Sequence, residues 1–327
     1  MFFLCYNHIS DKYQEKEMYK FMVSALVLIS IIPKAVFASD LGEAVIRTKE
    51  ACSGISDSMH DMKVKAGINT AVTAVGTVSA GVALGTGIAK QKKDDEFNEL
   101  SQELVTLAAT KAIQDKLDIM DKQVLINAVT EYVKANPKDE RIDDMVKLDK
   151  ESKKLGNIRT GTLAVTTATN IAGTAIAATN KVDSSLEENI NKCITAVQDL
   201  SKIKMTAVLE GSAETSEVND ADKIVAACSD YELVDLSPIN NRAVGAAVAS
   251  GLGAGAGLAG LITSAMANTE KTRSQGGPNE EKLNTTANVM AGTSAVAGAT
   301  ATVFNATQIA AIKKVVAAAD KCEEALQ

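Results

Sequence analysis

The sequence predicts an all-α protein built from duplicated antiparallel helical hairpins of Ala/Gly-rich small-residue helices, with an amphipathic helical insertion in the first half. Three observations predict it. Residues 66–89, 160–180, 243–269 and 283–312 carry no charge. Each run exceeds twenty residues, far beyond a strand's usual ~3–10, and Ala-rich runs of that length favour helix. Small residues recur at every fourth position within them: Gly81, Gly85 and Ala89; Gly245, Ala249, Gly253 and Gly257; Ala287, Ala291, Ala295 and Ala299. Residues four apart share a helix face. Finally, two kinds of cysteine context alternate along the chain, as a duplication would arrange them.

The order of those contexts is specific. Cys52 lies in Ala51-Cys52-Ser53 and Cys228 in Ala227-Cys228-Ser229. Cys193 follows Lys192 and precedes Ala196-Val197, while Cys322 follows Lys321 and precedes Ala325-Leu326. Two uncharged segments lie between the members of each successive pair. The second of each two holds an Asn followed by Ala-Gly-Thr: Asn170 with 172–174, and Asn288 with 291–293. This order predicts one disulfide per repeat, Cys52–Cys193 and Cys228–Cys322, out of three connectivities that four cysteines allow. The repeats are then 39–209, with a helical insertion at 91–155, and 210–327. Metal binding competes poorly, because close C-x-x-C spacing is absent and His60 is the one histidine after residue 38.

The N-terminus reads as an export signal. Lys20 precedes an apolar run over 21–32, Pro33 ends it, and Val36-Phe37-Ala38 stand before Ser39. Positive, apolar and small-residue regions in that order mark a secretory signal peptide, here 1–38 with cleavage after Ala38. An uncleaved anchor is the alternative. Residues 1–17, polar and upstream of Met18, read as a start-site extension. Removing residues 1–38 leaves 30 basic against 38 acidic residues, a net charge of −8. That balance argues against nucleic acid, whose phosphates need clustered Lys and Arg.

The small-residue rows follow the small-xxx-small logic of membrane helix packing, and these four segments alone resemble glycine-zipper membrane proteins. Length and lack of charge favour transmembrane helices, which need about 20 apolar residues. The Thr, Ser, Gly and Asn content favours a soluble bundle. Four crossings would put all four cysteines outside, in the oxidising compartment. Lys90, Lys92, Lys93, Lys153, Lys154, Arg159, Lys271, Arg273 and Lys282 would then lie inside. Lys63, Lys65, Lys181, Arg242, Lys313 and Lys314 would flank the segments outside.

The connecting regions also read as helical. Phe97, Leu100, Leu104 and Leu107 make one apolar stripe. Leu117, Met120, Val124, Ala128 and Tyr132 make another, ended by Asn136-Pro137. Residues 210–219 read as a surface loop. Ser237-Pro238 reads as a helix start with Ser237 as N-cap, and 274–279 as a turn.

Catalytic chemistry finds no foothold. Cys52 and His60 are eight residues apart, more than two helical turns, and a disulfide-bonded Cys52 is no nucleophile. There is no G-x-S-x-G motif. Gly251, Gly253, Gly255 and Gly257 lack the Lys-Ser/Thr of a phosphate loop. No catalytic, cofactor-binding or metal set is assigned, and no cofactor. The expectation is therefore a non-enzymatic, exported cell-envelope structural or interaction protein of a bacterial-type inner membrane or periplasm, associated with the membrane through glycine-zipper-like helical hairpins. Its partners would be the membrane, further copies or another envelope protein. A hairpin-inserting pore-former and a soluble disulfide-tied bundle are the alternatives.

Overall fold

The computed structural model describes residues 40–115, 122–270, 272 and 278–327. The expected signal peptide, Leu117, Met120 and residues 274–277 of the expected turn at 274–279 lie outside the described residues, while Pro278 and Asn279 already belong to the last helix. Every regular element among the described residues is helical: α1 (Asp40–Cys52), α2 (Ile55–Gln114), α3 (Lys122–Ala135), α4 (Glu140–Thr179), α5 (Ser184–Glu210), α6 (Thr215–Cys228), a 3₁₀ turn (Ser229–Leu233), α7 (Ser237–Ala267) and α8 (Pro278–Leu326). The uncharged segments are not separate helices. Residues 66–89 and 283–312 lie within longer helices and 160–179 end one, because nothing at 65–66, 89–90 or 159–160 breaks a helix and charged residues continue it well; α7 alone extends little beyond its uncharged segment.

Helices α2, α4, α7 and α8 form a four-helix bundle in which each packs along two neighbours. The chain runs up along α2, down α4, up α7 and down α8. At one end Asn180 Nδ2 donates to the Met62 carbonyl, 3.2 Å. At the other, Arg159 Nη2 donates to Asn284 Oδ1, 2.7 Å. Below the first end sits a cap made of α1, the start of α2, α5, α6, the 3₁₀ turn and the end of α8. Beyond the other end, the C-terminal part of α2 pairs with α3 and the start of α4, and buries Leu104, Ala108, Ala112 and Leu148.

The bundle's inward face keeps alternating steps of three and four residues. On α2 it is Asn69, Thr73, Gly76, Ala80, Ala83, Gly87 and Lys90. On α7 it is Ile239, Ala243, Ala246, Ser250, Gly253, Gly257, Gly260, Ser264 and Ala267. Helices α4 and α8 repeat the pattern, from Arg159 to Asn180 and from Asn284 to Ile312. This is the 3.5-residue repeat of knobs-into-holes packing, filled with small and polar side chains instead of large apolar ones.

That repeat corrects the choice of face in places. Gly245, Ala249, Gly253, Gly257, Ala287 and Ala291 point toward neighbouring helices. Gly81 and Gly85 are exposed, with no atom within 4 Å of where a Cβ would stand. Ala299 is also exposed, and Ala295 and Ala89 are half-buried. A strict four-residue step drifts round a helix of 3.6 residues per turn, so the row through Gly81 leaves the seam that Gly76, Ala80, Ala83 and Gly87 follow.

Local capping differs in two further places. Thr215 already begins α6, because the Glu214 amide donates to Glu217 Oε2, 3.4 Å, half of a capping box; the loop shrinks to 211–214. Ser237 is the first residue of α7, not its cap. Its amide donates to Asp235 Oδ1, 2.9 Å, and Leu236 is the N-cap. The break at Asn136-Pro137 is present, with Asp139 capping α4 by accepting from the Arg141 amide. Three hydrogen bonds from Arg141 hold the Asp139 carboxyl down at about 2.

The glycines give a direct test of the seam. A Cβ on Gly87 would stand 1.8 Å from Asn288 Oδ1 and 3.1 Å from Arg159 Cδ. Gly87→Ala is expected to destabilise by about 1–3 kcal/mol through overpacking. Gly85→Ala, facing open space two residues away, is expected to gain up to about 1 kcal/mol of helix propensity. Thermal or denaturant unfolding of both variants in detergent measures the contrast.

Candidate functional site

The interior of the bundle is polar, and it is organised in layers. At the end away from the cap lies a charge lock drawn from all four helices. Lys90, fully buried on α2, donates to Asp94 Oδ2, 2.5 Å, and to Glu280 Oε1 of α8, 3.0 Å. Asp94 also accepts from Ser152 of α4 and, at 3.3 Å, from Asn284 Nδ2 of α8. Arg159, fully buried on α4, donates from Nε to Ser264 Oγ of α7, 2.9 Å, from Nη1 to Asn288 Oδ1, 3.2 Å, and from Nη2 to Asn284 Oδ1. Two cations and two carboxylates make the lock electrically neutral. Neutrality with hydrogen bonds is what makes buried charge tolerable. The sequence places Lys90 and Arg159 among the cations that flank the uncharged segments on the inner side of a four-crossing arrangement. The structure buries both, because they are the next steps of the inward seam after Gly87 and before Leu163. The i,i+4 pair Lys90–Asp94 is the one local signal that could have found it.

Next toward the cap comes a short apolar layer of Ala83, Leu163 and Ala291, with Leu84 and Leu261 packed on it. Beyond it Asn170 Nδ2 donates to Ser294 Oγ, 3.2 Å, and Ser294 donates on to the Gly253 carbonyl, 2.7 Å. Then Asn69 Nδ2 donates to Asn305 Oδ1, 2.9 Å, with Thr73 and Thr302 beside them at 3.1 Å from each other. Last, Gln308 Nε2 donates to the Asn180 carbonyl, 2.8 Å.

The outside of the same helices is apolar. Val78, Val82, Ile88, Val248, Leu252, Ile262, Val296 and Val303 are all 44–70% exposed. Among the described residues, three helical stretches are long and apolar enough to cross a membrane: Leu41–Gln114, which takes in α1 and α2, Ser237–Ala267 and Asn279–Leu326. The uncharged part of α4 is not among them, being rich in threonine.

The cap is built the ordinary way round. Ile55, Met59, Ile190, Leu200, Ile224, Ile239 and Ile312 surround four buried cysteines. The structure joins Cys52 to Cys193 and Cys228 to Cys322, with Cα–Cα separations of 4.6 and 4.4 Å. The sulfurs of Cys52, Cys193 and Cys322 lie within 4.8 Å of one another, so the bridges are neighbours. His60 is remote from any nucleophilic role. It sits 3.0 Å from Asp320 Oδ1 of α8. The Ser56 hydroxyl also donates to that carboxylate, 2.6 Å, and is the main reason the Asp320 carboxyl is held below its ordinary range, with His60 helping. Burial pushes the Tyr231 hydroxyl upward.

No family model, curated protein or solved structure matches this chain. The lock yields a sharp test. Arg159→Ala leaves Ser264, Asn284 and Asn288 without their donor and the lock with an excess negative charge. Breaking one partner out of a buried ionic network costs about 3–5 kcal/mol, so a loss of that order is expected in unfolding measurements, with Arg159→Lys recovering only part of it.

Proposed function

We propose that this chain is an exported, membrane-embedded structural or interaction protein, in which the four-helix bundle lies within a bilayer and the disulfide-tied cap lies on its extracytoplasmic side. The reading is carried by one observation: the bundle is polar inside and apolar outside. Fully burying a large apolar side chain is worth about 1.5–3 kcal/mol, and a water-soluble fold ordinarily turns such side chains inward. Exposed apolar patches beyond a few hundred Å² mark membrane or partner surfaces. Hydrocarbon reverses the preference. In lipid, helices gain nothing from hiding apolar groups and associate through close packing and interhelical hydrogen bonds, which is what the small and polar seam supplies.

Dimensions agree. Residues 66–89 rise about 36 Å as a helix, against a hydrocarbon core of about 30 Å. In this arrangement the two hairpins, α2 with α4 and α7 with α8, are duplicated glycine-zipper-like units, each with its own disulfide in an oxidising compartment. The insertion at 91–155 projects from the opposite side, carrying Lys92, Lys93, Lys153 and Lys154. It is the surface offered to a protein partner or to a second copy. The proposed role is mechanical and not catalytic.

A pore-forming role is the second reading, favoured by the polar lane inside the bundle. Fractionation separates the readings. Membranes washed with alkaline carbonate are expected to retain the protein and detergent to release it; recovery in the carbonate wash would replace this reading with a soluble bundle. Purified protein added to dye-loaded vesicles is expected to leave them intact, and leakage would favour the pore-former.

A further inference from the structure

Among the described residues, five buried side-chain atoms have no hydrogen-bond partner, all in the bundle: Asn180 Oδ1, Gln308 Oε1, Asn69 Oδ1, Ser250 Oγ and Asn170 Oδ1. Their residues are at most 1% exposed. Unsatisfied buried polar atoms are costly and rare in native structures, and these five are not scattered. Each belongs to the inward seam or its last step, and they succeed one another from the cap toward the bundle's middle. Gly173 and Gly76 stand opposite them, each already in close contact with a threonine, Thr73 and Thr169. A Cβ on Gly173 would stand 3.3 Å from both Asn69 Oδ1 and Ser250 Oγ, and one on Gly76 would stand 3.3 Å from Asn170 Oδ1. Two of the unpartnered oxygens therefore converge beside Gly173.

The series has an open end and a closed one. Asn180 also lines a solvent-open polar recess of about 250 Å³, with Ser58, Asp61, Lys65, Lys181 and Asp183 around it. On the far side of Asn170 the seam turns apolar at Ala83, Leu163 and Ala291, and the positive Arg159 lies beyond.

Four of the five atoms are amide carbonyl oxygens, which need a donor. No carboxylate lies on the seam between Asn180 and Leu163 to balance a bound cation. A small neutral donor fits both facts. Buried water makes about 2–4 hydrogen bonds to such groups. We infer that water molecules enter the bundle beside Asn180, hydrate Gln308, Asn69, Ser250 and Asn170 in turn, and stop at Leu163, so that the bundle holds a blind hydrated lane. Its central site is where Asn69 Oδ1 of α2 and Ser250 Oγ of α7 converge beside Gly173, with one water bridging the two. The lane is a property of the bundle interior and is independent of whether a bilayer surrounds it.

Silver ion, small enough to travel where single-file water travels and reactive with thiols, tests this in detergent-solubilised protein with both disulfides intact. Ser250→Cys is nearly isosteric, and Ser294→Cys probes the same lane from α8. Ala83→Cys and Ala291→Cys probe the apolar layer. The expected result is silver modification of the cysteine at 250 or 294 and none at 83 or 291. Inert cysteines at all four positions would mean a dry interior and overturn the lane. Reaction at 83 or 291 would mean that it is not blind, and equally overturn the inference. Cooperative thermal unfolding of each variant identifies those that keep the fold, and the two positions in each layer substitute for one another.

Discussion

The architecture depends on the 3.5-residue seam of small and polar side chains along four helices. Gly76, Ala80, Ala83 and Gly87 on α2 and Gly253, Gly257 and Gly260 on α7 turn inward in one ring of helices, in which α2 and α7 each pack on α4 and α8. Such residues bring little apolar area to an interface, so the bundle cannot be held by the ordinary hydrophobic argument. Close backbone approach does the work instead, supplemented by hydrogen bonds from Asn69, Asn170, Asn305 and Ser294. It follows that the valines and leucines of these helices have nowhere to go but outward, and that Lys90 and Arg159, once on the seam, must be neutralised from within.

The cap solves a different problem with different means. Its aliphatic core is conventional, and the two disulfides close stretches of 141 and 94 residues. In the chain-entropy model, cross-links over loops of this size contribute on the order of 4–5 kcal/mol each. They sit where α1, α5, α6 and the end of α8 converge, at the foot of the bundle. The molecule thus places its covalent ties where the chain leaves the bundle and its ionic tie, the Lys90–Asp94–Glu280–Arg159 lock, at the other end. Between them the packing is uncharged.

Much of the helical class was legible because lack of charge and Ala content over more than twenty residues admit little else. The cysteine contexts pointed to the same two partners that the structure joins. The inward face was not legible. Counting small residues every fourth position selected Gly253, Gly257, Ala287 and Ala291 but also Gly81, Gly85 and Ala299, since a row in steps of four and a seam in steps of three and four coincide only briefly. The lock was missed for a related reason: a charge at the edge of an apolar run is normally solvated, and only the register of Gly87 with Lys90, or of Leu163 with Arg159, sets these two inside. Glu214 as the N-cap of α6 and Asp235 as the acceptor of the Ser237 amide are not legible in the sequence, where serine and proline are the more familiar signals.

The central claim is that the outward face of the bundle meets hydrocarbon. Nitroxide labels placed singly at Val78 of α2 and Val296 of α8, which are 67% and 70% exposed, report their surroundings directly by electron paramagnetic resonance in reconstituted vesicles. Apolar oxygen dissolves in the bilayer, and a water-soluble nickel chelate is excluded from it. The account predicts strong relaxation of both labels by oxygen and little by the chelate. Strong relaxation by the nickel chelate at both positions would place the apolar face in water and contradict it.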